Sequence, residues 1–238
     1  MTNAPNAPTA PTAPRESPDT SNTLLGRVFE AVLFDMDGTL VDSTNAVNRS
    51  WRRWADEAGL GESFQGARHG VPARQMLATL VPADQVDQAV VRLTELELAD
   101  TGDIAILPGA GELLASIPEH RRAIVTSATR ALCLVRLTAA GVPTVATVVT
   151  IEETSRGKPF PEPFLAAAAR LGVDPARCLV VEDAPAGLEA ARAAGCATIG
   201  VEGTHAAADL VADLVVPGLD RLRILVQDDG VRFELLPA

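Results

Sequence analysis

The chain has 238 residues, enough for one sizeable core or a core plus a small accessory domain, and its apolar content comes mainly from Ala, Val and Leu, as in α/β proteins. Its 31 acidic and 20 basic residues give a net charge of −11, which repels polyanions and argues against a nucleic-acid partner, though a metal and a few local cations would still admit a small phosphate ester. No apolar run approaches the ~20 residues of a membrane span, the N-terminus lacks the basic-then-apolar order of a secretory signal, and Cys133, Cys178 and Cys196 lie far apart, so a cytoplasmic protein without a membrane partner is expected.

Residues 1–23 are Ala, Pro, Thr, Asn and Ser with almost nothing large and apolar. Such a segment cannot bury enough surface to offset its ordering entropy, and a disordered tail is expected. Order begins near Leu24. Residues 28–34 (VFEAVLF) form a short apolar run ended by Asp35-Met36-Asp37-Gly38-Thr39, the pattern of a buried parallel strand feeding a functional turn. Ser43 or Thr44 then caps a helix that runs to about Ala58, with Trp51, Trp54, Ala55 and Ala58 on one packing face. Helical patterns fill the stretch from there to about Ile104, including residues 74–80 and 83–100, with no convincing strand.

The pattern then changes. Short strand-like runs at residues 123–126, 147–150, 178–181, 197–201 and 214–216 alternate with helical stretches at 109–117, 130–140, 161–171 and 184–194. Alternation of this kind implies right-handed βαβ crossovers and a parallel sheet. The expected fold is therefore α/β, a Rossmann-like doubly wound core over residues 24–43 and 106–238, with an α-helical cap over residues 44–105 inserted after the first strand.

Ligands of open parallel sheets bind beyond the carboxyl ends of the strands. Four polar groups follow four different strands: Asp35 and Asp37, Thr126 and Ser127, Lys158, and Glu182 with Asp183. Each suits phosphoryl transfer. A carboxylate such as Asp35 can attack phosphorus and split one hard displacement into two easier ones. Asp37, two residues on along an extended chain, reaches the same substrate as general acid and then base. Magnesium prefers oxygen ligands, which Asp35, Asp183, the Asp37 carbonyl and Glu182 offer. Lys158 stabilises the equatorial oxygens, while the Thr126 hydroxyl and the amides of Ser127 and Ala128 bond the phosphate.

These residues together resemble the haloacid dehalogenase-like hydrolase superfamily. All four of its motifs stand in order: DMDGTL at residues 35–40, Thr126-Ser127, Lys158, and Glu182-Asp183. The second acid of the first motif favours phosphatases and phosphomutases over dehalogenases. By this resemblance Asp35 is the nucleophile, Asp37 the acid/base, Thr126 and Lys158 phosphate contacts, and Asp183 with Glu182 the magnesium ligands. The closer resemblance is to sugar and polyol phosphatases of the glycerol-phosphate and 2-deoxyglucose-6-phosphate type. It rests on residues 126–129 (TSAT), 157–164 (GKPFPEPF) and 182–187 (EDAPAG), and on His69-Gly70. Pro72 departs from that pattern, standing where many relatives carry a substrate-contacting Arg, a role Arg74 could take.

His69 reads either as a substrate contact of the cap or as a packing residue. Arg49, Arg74 and Asn45 are further substrate-binding candidates, as is Gly70. The expected function is magnesium-dependent hydrolysis of a small sugar or polyol phosphate, by a chain that is a monomer by default. The alternatives are a phosphomutase of the β-phosphoglucomutase type, supported by the same aspartyl-phosphate, and a non-catalytic protein that binds a phosphorylated metabolite.

Overall fold

The computed structural model describes residues 24–66 and 70–237. The N-terminal tail of residues 1–23 and the candidate contact His69 lie outside them. Six parallel strands form the central sheet, in the order β5-β4-β1-β6-β7-β8. They are β1 (Ala31–Phe34), β4 (Arg122–Val125), β5 (Val148–Val149), β6 (Cys178–Glu182), β7 (Ala197–Val201) and β8 (Leu214–Val216). All four residues of β1 are buried, because both faces of the sheet are covered.

The two-residue side-chain period divides β1 between two cores. Val32 and Phe34 join a cluster with Leu113 and Leu114 of α4 (Ala110–Ser116) and with Leu132 and Leu137 of α5 (Arg130–Ala139). Ala31 and Leu33 face the opposite way, against Phe164 and Ala167 of α6 (Glu162–Leu171) and Ala190 and Ala191 of α7 (Pro185–Ala193). Helices on both faces of a parallel sheet make this the doubly wound α/β fold expected.

Between β1 and β4 the chain passes through a segment whose described elements are helical, with α1 (Thr44–Glu57), α2 (Ala73–Leu77) and α3 (Val86–Ala99). It has an apolar cluster of its own, built on Val47, Trp51, Trp54, Leu77, Ala89, Leu93 and Leu96. Trp51 meets Trp54 edge-on at 5.9 Å and stacks on Phe64 at 6.0 Å. The two chain crossings between core and cap are paired, as β2 (Val41–Asp42) runs antiparallel to β3 (Ala105–Ile106). Among the described residues, no helix is long and apolar enough to cross a membrane.

Two features depart from the expected elements. The first strand begins at Ala31 instead of Val28, because Phe29 is drawn into a bridge with Val231. That partner belongs to an antiparallel hairpin, β9 (Leu222–Gln227) and β10 (Gly230–Leu235), which closes one core with Leu222, Val231 and Phe233. Ser43 stands at the N-cap of α1 but makes no capping hydrogen bond, since its hydroxyl is used elsewhere.

Candidate active site

The carboxyl ends of β1, β4 and β6, with the loop after β5, converge on one rim. Asp35 follows β1 directly, only 4 % exposed, and its amide extends the ladder by donating to the Val181 carbonyl at 2.9 Å. Lys158 is wholly buried. Its Nζ donates to Asp35 Oδ1 and, at 2.7 Å, to Glu182 Oε2, while lying 5.4 Å from the centroid of the Phe164 ring. The other Glu182 oxygen accepts from the Ala184 amide at 3.1 Å. Asp183 accepts from the hydroxyls of Thr39, at 3.2 Å, and Thr204.

The electrostatics of this cluster are unbalanced. Asp35, Glu182 and Asp183 are buried, and three of their oxygens lie within 4.8 Å of one another. One ammonium cannot neutralise three carboxylates. Burial, helped by the Glu182 charge, pushes the Asp35 carboxyl up to about 7 against the pull of Lys158. Burial likewise lifts Glu182 to about 7, with Lys158 opposing and Asp183 adding to the rise. Asp183 is also raised to about 7, by burial and then by the Asp35 charge. Burial alone would lower Lys158, yet the two carboxylates it touches outweigh that and hold it above the ordinary lysine range. A close set of hard oxygen donors with surplus negative charge fits a divalent cation.

Asp37 is set apart from that cluster. Its side chain is 20 % exposed and lines a cleft between core and cap. The Ser43 hydroxyl donates to Oδ1 at 2.6 Å, and Arg136 Nη1 donates to Oδ2 at 2.9 Å. Arg136 sits on α5, and its Nη2 reaches Glu97 of cap helix α3 at 3.2 Å. The cleft is about 650 Å³, lined by Val47, Trp51, Val90 and Thr94 of the cap and by Ala128 and Leu132 of the core.

The remaining candidates divide. Thr126 is buried beyond β4, and its hydroxyl accepts from the Ala128 amide at 3.1 Å, so that amide is engaged within the loop. Ser127 lines the cleft and donates to the Gly70 carbonyl at 3.1 Å, tying the cap to the core. Gly70 has φ +78°, and a Cβ there would lie 2.5 Å from the Ala184 methyl, so only glycine permits the approach. Arg74 lines the cleft and pairs with Asp87 at 2.6 Å. Arg49 and Asn45 do not line the cleft. Arg49 is half exposed and held by Asp100 and Asp103, because its position on α1 faces the acidic loop after α3. Asn45 is exposed in the first turn of that helix, away from the Val47 and Trp51 face.

Sequence reasoning missed Arg136, Glu97 and Thr204, and took Ser43 only as a cap. Arg136 and Glu97 did leave a trace. Each occupies a position of its helix's apolar stripe, four residues after Leu132 and Leu93 respectively. Thr204 follows β7 with no such signal.

A parallel sheet that ends in a buried acid cluster beneath a helical cap defines a capped α/β enzyme. The family model for haloacid dehalogenase-like hydrolases matches residues 29–195, and the chain belongs to that family. It is 41% identical over 212 residues to hexitol phosphatase A of Escherichia coli, covering 83% of this chain and 95% of that protein. It is 30% identical over 227 residues to 2-deoxyglucose-6-phosphate phosphatase 2 of Saccharomyces cerevisiae, covering 83% of this chain and 91% of the relative. A hydrolase from Pseudomonas syringae superposes with a TM-score of 0.72 at 25% identity, over 80% of this chain and 94% of that one. The chain is thus an enzyme, a phosphoric monoester hydrolase of the haloacid dehalogenase-like family.

Proposed function

We propose that this enzyme removes phosphate from a small sugar or polyol phosphate through an aspartyl-phosphate on Asp35. The observation that carries the reading is the placement of Asp35. It is a buried carboxylate at a strand end, bonded to Lys158, with a second acid two residues on that lines the cleft. A cleft of about 650 Å³ suits a small metabolite. The hexitol and 2-deoxyglucose-6-phosphate phosphatases to which the chain is similar support the substrate class.

In this reading Asp35 attacks phosphorus and the ester P–O bond breaks, while Asp37 gives its proton to the departing alkoxide. Asp37 then takes a proton from water as that water attacks the phosphorus of the aspartyl-phosphate. Inorganic phosphate leaves and Asp35 is restored. Lys158 and the Thr126 hydroxyl stabilise charge on the equatorial oxygens. Asp35, Glu182 and Asp183 would hold magnesium, which when bound offsets the repulsion between an anionic nucleophile and an anionic phosphate. Residues 44–105 serve as the cap that shuts out bulk water. The three cysteines are free and buried, which suits a reducing cytoplasm.

The test is phosphate release from a panel of sugar and polyol phosphates, with excess magnesium and with excess chelator. Metal-dependent release from a few small esters is expected. Release that chelator leaves unchanged refutes the metal assignment. Glucose 1-phosphate converted to glucose 6-phosphate, with no phosphate released, refutes hydrolysis.

A further inference from the structure

We infer that Arg136 is a positioning residue, through which Glu97 of the cap sets Asp37 for proton transfer. The inference rests on the reading of Asp37 as the acid/base. Its geometry is a single guanidinium shared between two acids of two different structural units. Arg136 gives Nη1 to Asp37 at 2.9 Å and Nη2 to Glu97 at 3.2 Å.

Both partners of this link are buried, Arg136 at 5 % exposure and Glu97 at 8 %. Desolvation offsets much of the attraction in a buried ion pair, so the pair is weak evidence for a role in stability. The guanidinium is planar, so a carboxylate held at one nitrogen constrains the direction in which the other nitrogen donates. Glu97 therefore orients Arg136, and Arg136 orients Asp37.

The link also joins the helical segment to the core, alongside the Ser127–Gly70 hydrogen bond. The cap has its own apolar cluster and also contributes Ala46 and Ile104, with Leu98 packed beside them, to one that flanks the sheet. Glu97 arrives at Arg136 only when α3 lies against α5. Asp37 thus receives its Arg136 contact in the arrangement that packs α3 on α5. Ser43, at the N-cap of α1, supplies its other contact.

The experiment uses the full chain and substituted phenyl phosphates of one shape: p-nitrophenyl, phenyl and p-methoxyphenyl phosphate. The p-nitrophenolate leaves without a proton, whereas the other two gain from an acid, so kcat/KM across the series reads the proton donor. Asp37→Asn defines the full effect. Arg136→Gln is expected to lower kcat/KM for p-methoxyphenyl phosphate about tenfold more than for p-nitrophenyl phosphate, part of the 10²–10⁴-fold range of general-acid catalysis. Glu97→Gln should steepen the series in the same direction by less. The double variant should match Arg136→Gln alone, because Glu97 acts only through Arg136.

Thermal midpoints of all variants separate folding from function, and if Arg136→Gln does not fold, Glu97→Gln decides alone: a series no steeper than the wild type's, where Asp37→Asn steepens it, overturns the path through Arg136. Equal losses across the series for Arg136→Gln, where Asp37→Asn steepens it, overturn the positioning role alone. Additive losses in the double variant overturn the path through Arg136. A folded wild-type protein without turnover, or a flat series for Asp37→Asn, overturns the acid/base reading itself.

Discussion

Replacing Gly187 with alanine sets two effects of opposite sign against each other. Gly187 lies in the first turn of α7, and at an ordinary helix position Gly→Ala stabilises by about 1 kcal/mol. Here a Cβ would fall 2.0 Å from Glu182 Oε2 and 2.1 Å from its Cδ. Non-bonded carbon contacts are most favourable near ~3.5 Å, so the carboxyl group must retreat by more than an ångström. It has nowhere to go, being fully buried and bonded at both oxygens, to Lys158 at 2.7 Å and to the Ala184 amide at 3.1 Å. Breaking a buried pair costs about 3–5 kcal/mol, and a displaced partner belongs at the lower end of that range. The net loss is then roughly 2–3 kcal/mol, a fall in Tm of about 4–12 °C for a domain of this size. Turnover should fall as well, since Lys158 loses one of the two acids that aim it. Thermal unfolding and kcat with the best substrate of the panel measure both. A Gly187→Ala protein as stable as the wild type would refute the reasoning, for it would mean that Glu182 moves freely.

Three further outcomes follow from the same geometry. Asp35→Asn should abolish turnover with the far-ultraviolet spectrum unchanged, and near-wild-type activity would remove Asp35 as nucleophile. Asp35, Glu182 and Asp183 have folded-state values raised to about 7, so the folded chain holds their protons more tightly than the unfolded chain does. Metal-free protein should therefore lose thermal stability as pH rises from the ordinary carboxylate range through about 7, and excess magnesium should remove that decline; a flat or rising midpoint in chelator refutes the charge imbalance. Gly70→Ala places a methyl 2.5 Å from that of Ala184 at a left-handed φ, which costs about 1–2 kcal/mol in backbone conformation. Because the clash falls at the seam and in none of the apolar clusters, kcat/KM should drop severalfold while Tm falls by only about 2–8 °C, and unchanged kinetics would show that the seam need not be this close.

The fold was largely legible because burial leaves a local record. Every strand of the parallel sheet is a short apolar run, and every core helix carries a stripe against it, so period and alternation were enough. The hairpin of β9 and β10 was not read, although the alternation of residues 231–235 (VRFEL) and Asp229-Gly230 at its turn both mark it. Its contact with Phe29 spans nearly the whole chain, and no local pattern shows that. In the site, the motif residues were found through the strand ends they follow. The contacts that hold them were not. Ser43 looks like a helix cap in sequence, and only the fold shows its hydroxyl turned to Asp37.

What the missed residues share is a charge where the helix pattern calls for an apolar side chain. Arg136 stands in line with Leu132, and Glu97 with Leu93, and both are buried as their positions dictate. Burial of an unpaired arginine or glutamate would be severely destabilising, so such a charge persists only where the fold supplies a partner. Here each is the other's partner, which means that neither helix can be understood from its own sequence. The two polar breaks in two separate stripes are one feature seen twice, and the structure joins them at Asp37, the residue that proton transfer needs held still. Local irregularity in an amphipathic helix thus carried information about the site that motif matching passed over. A buried charge on one stripe is a reason to look for its complement on another.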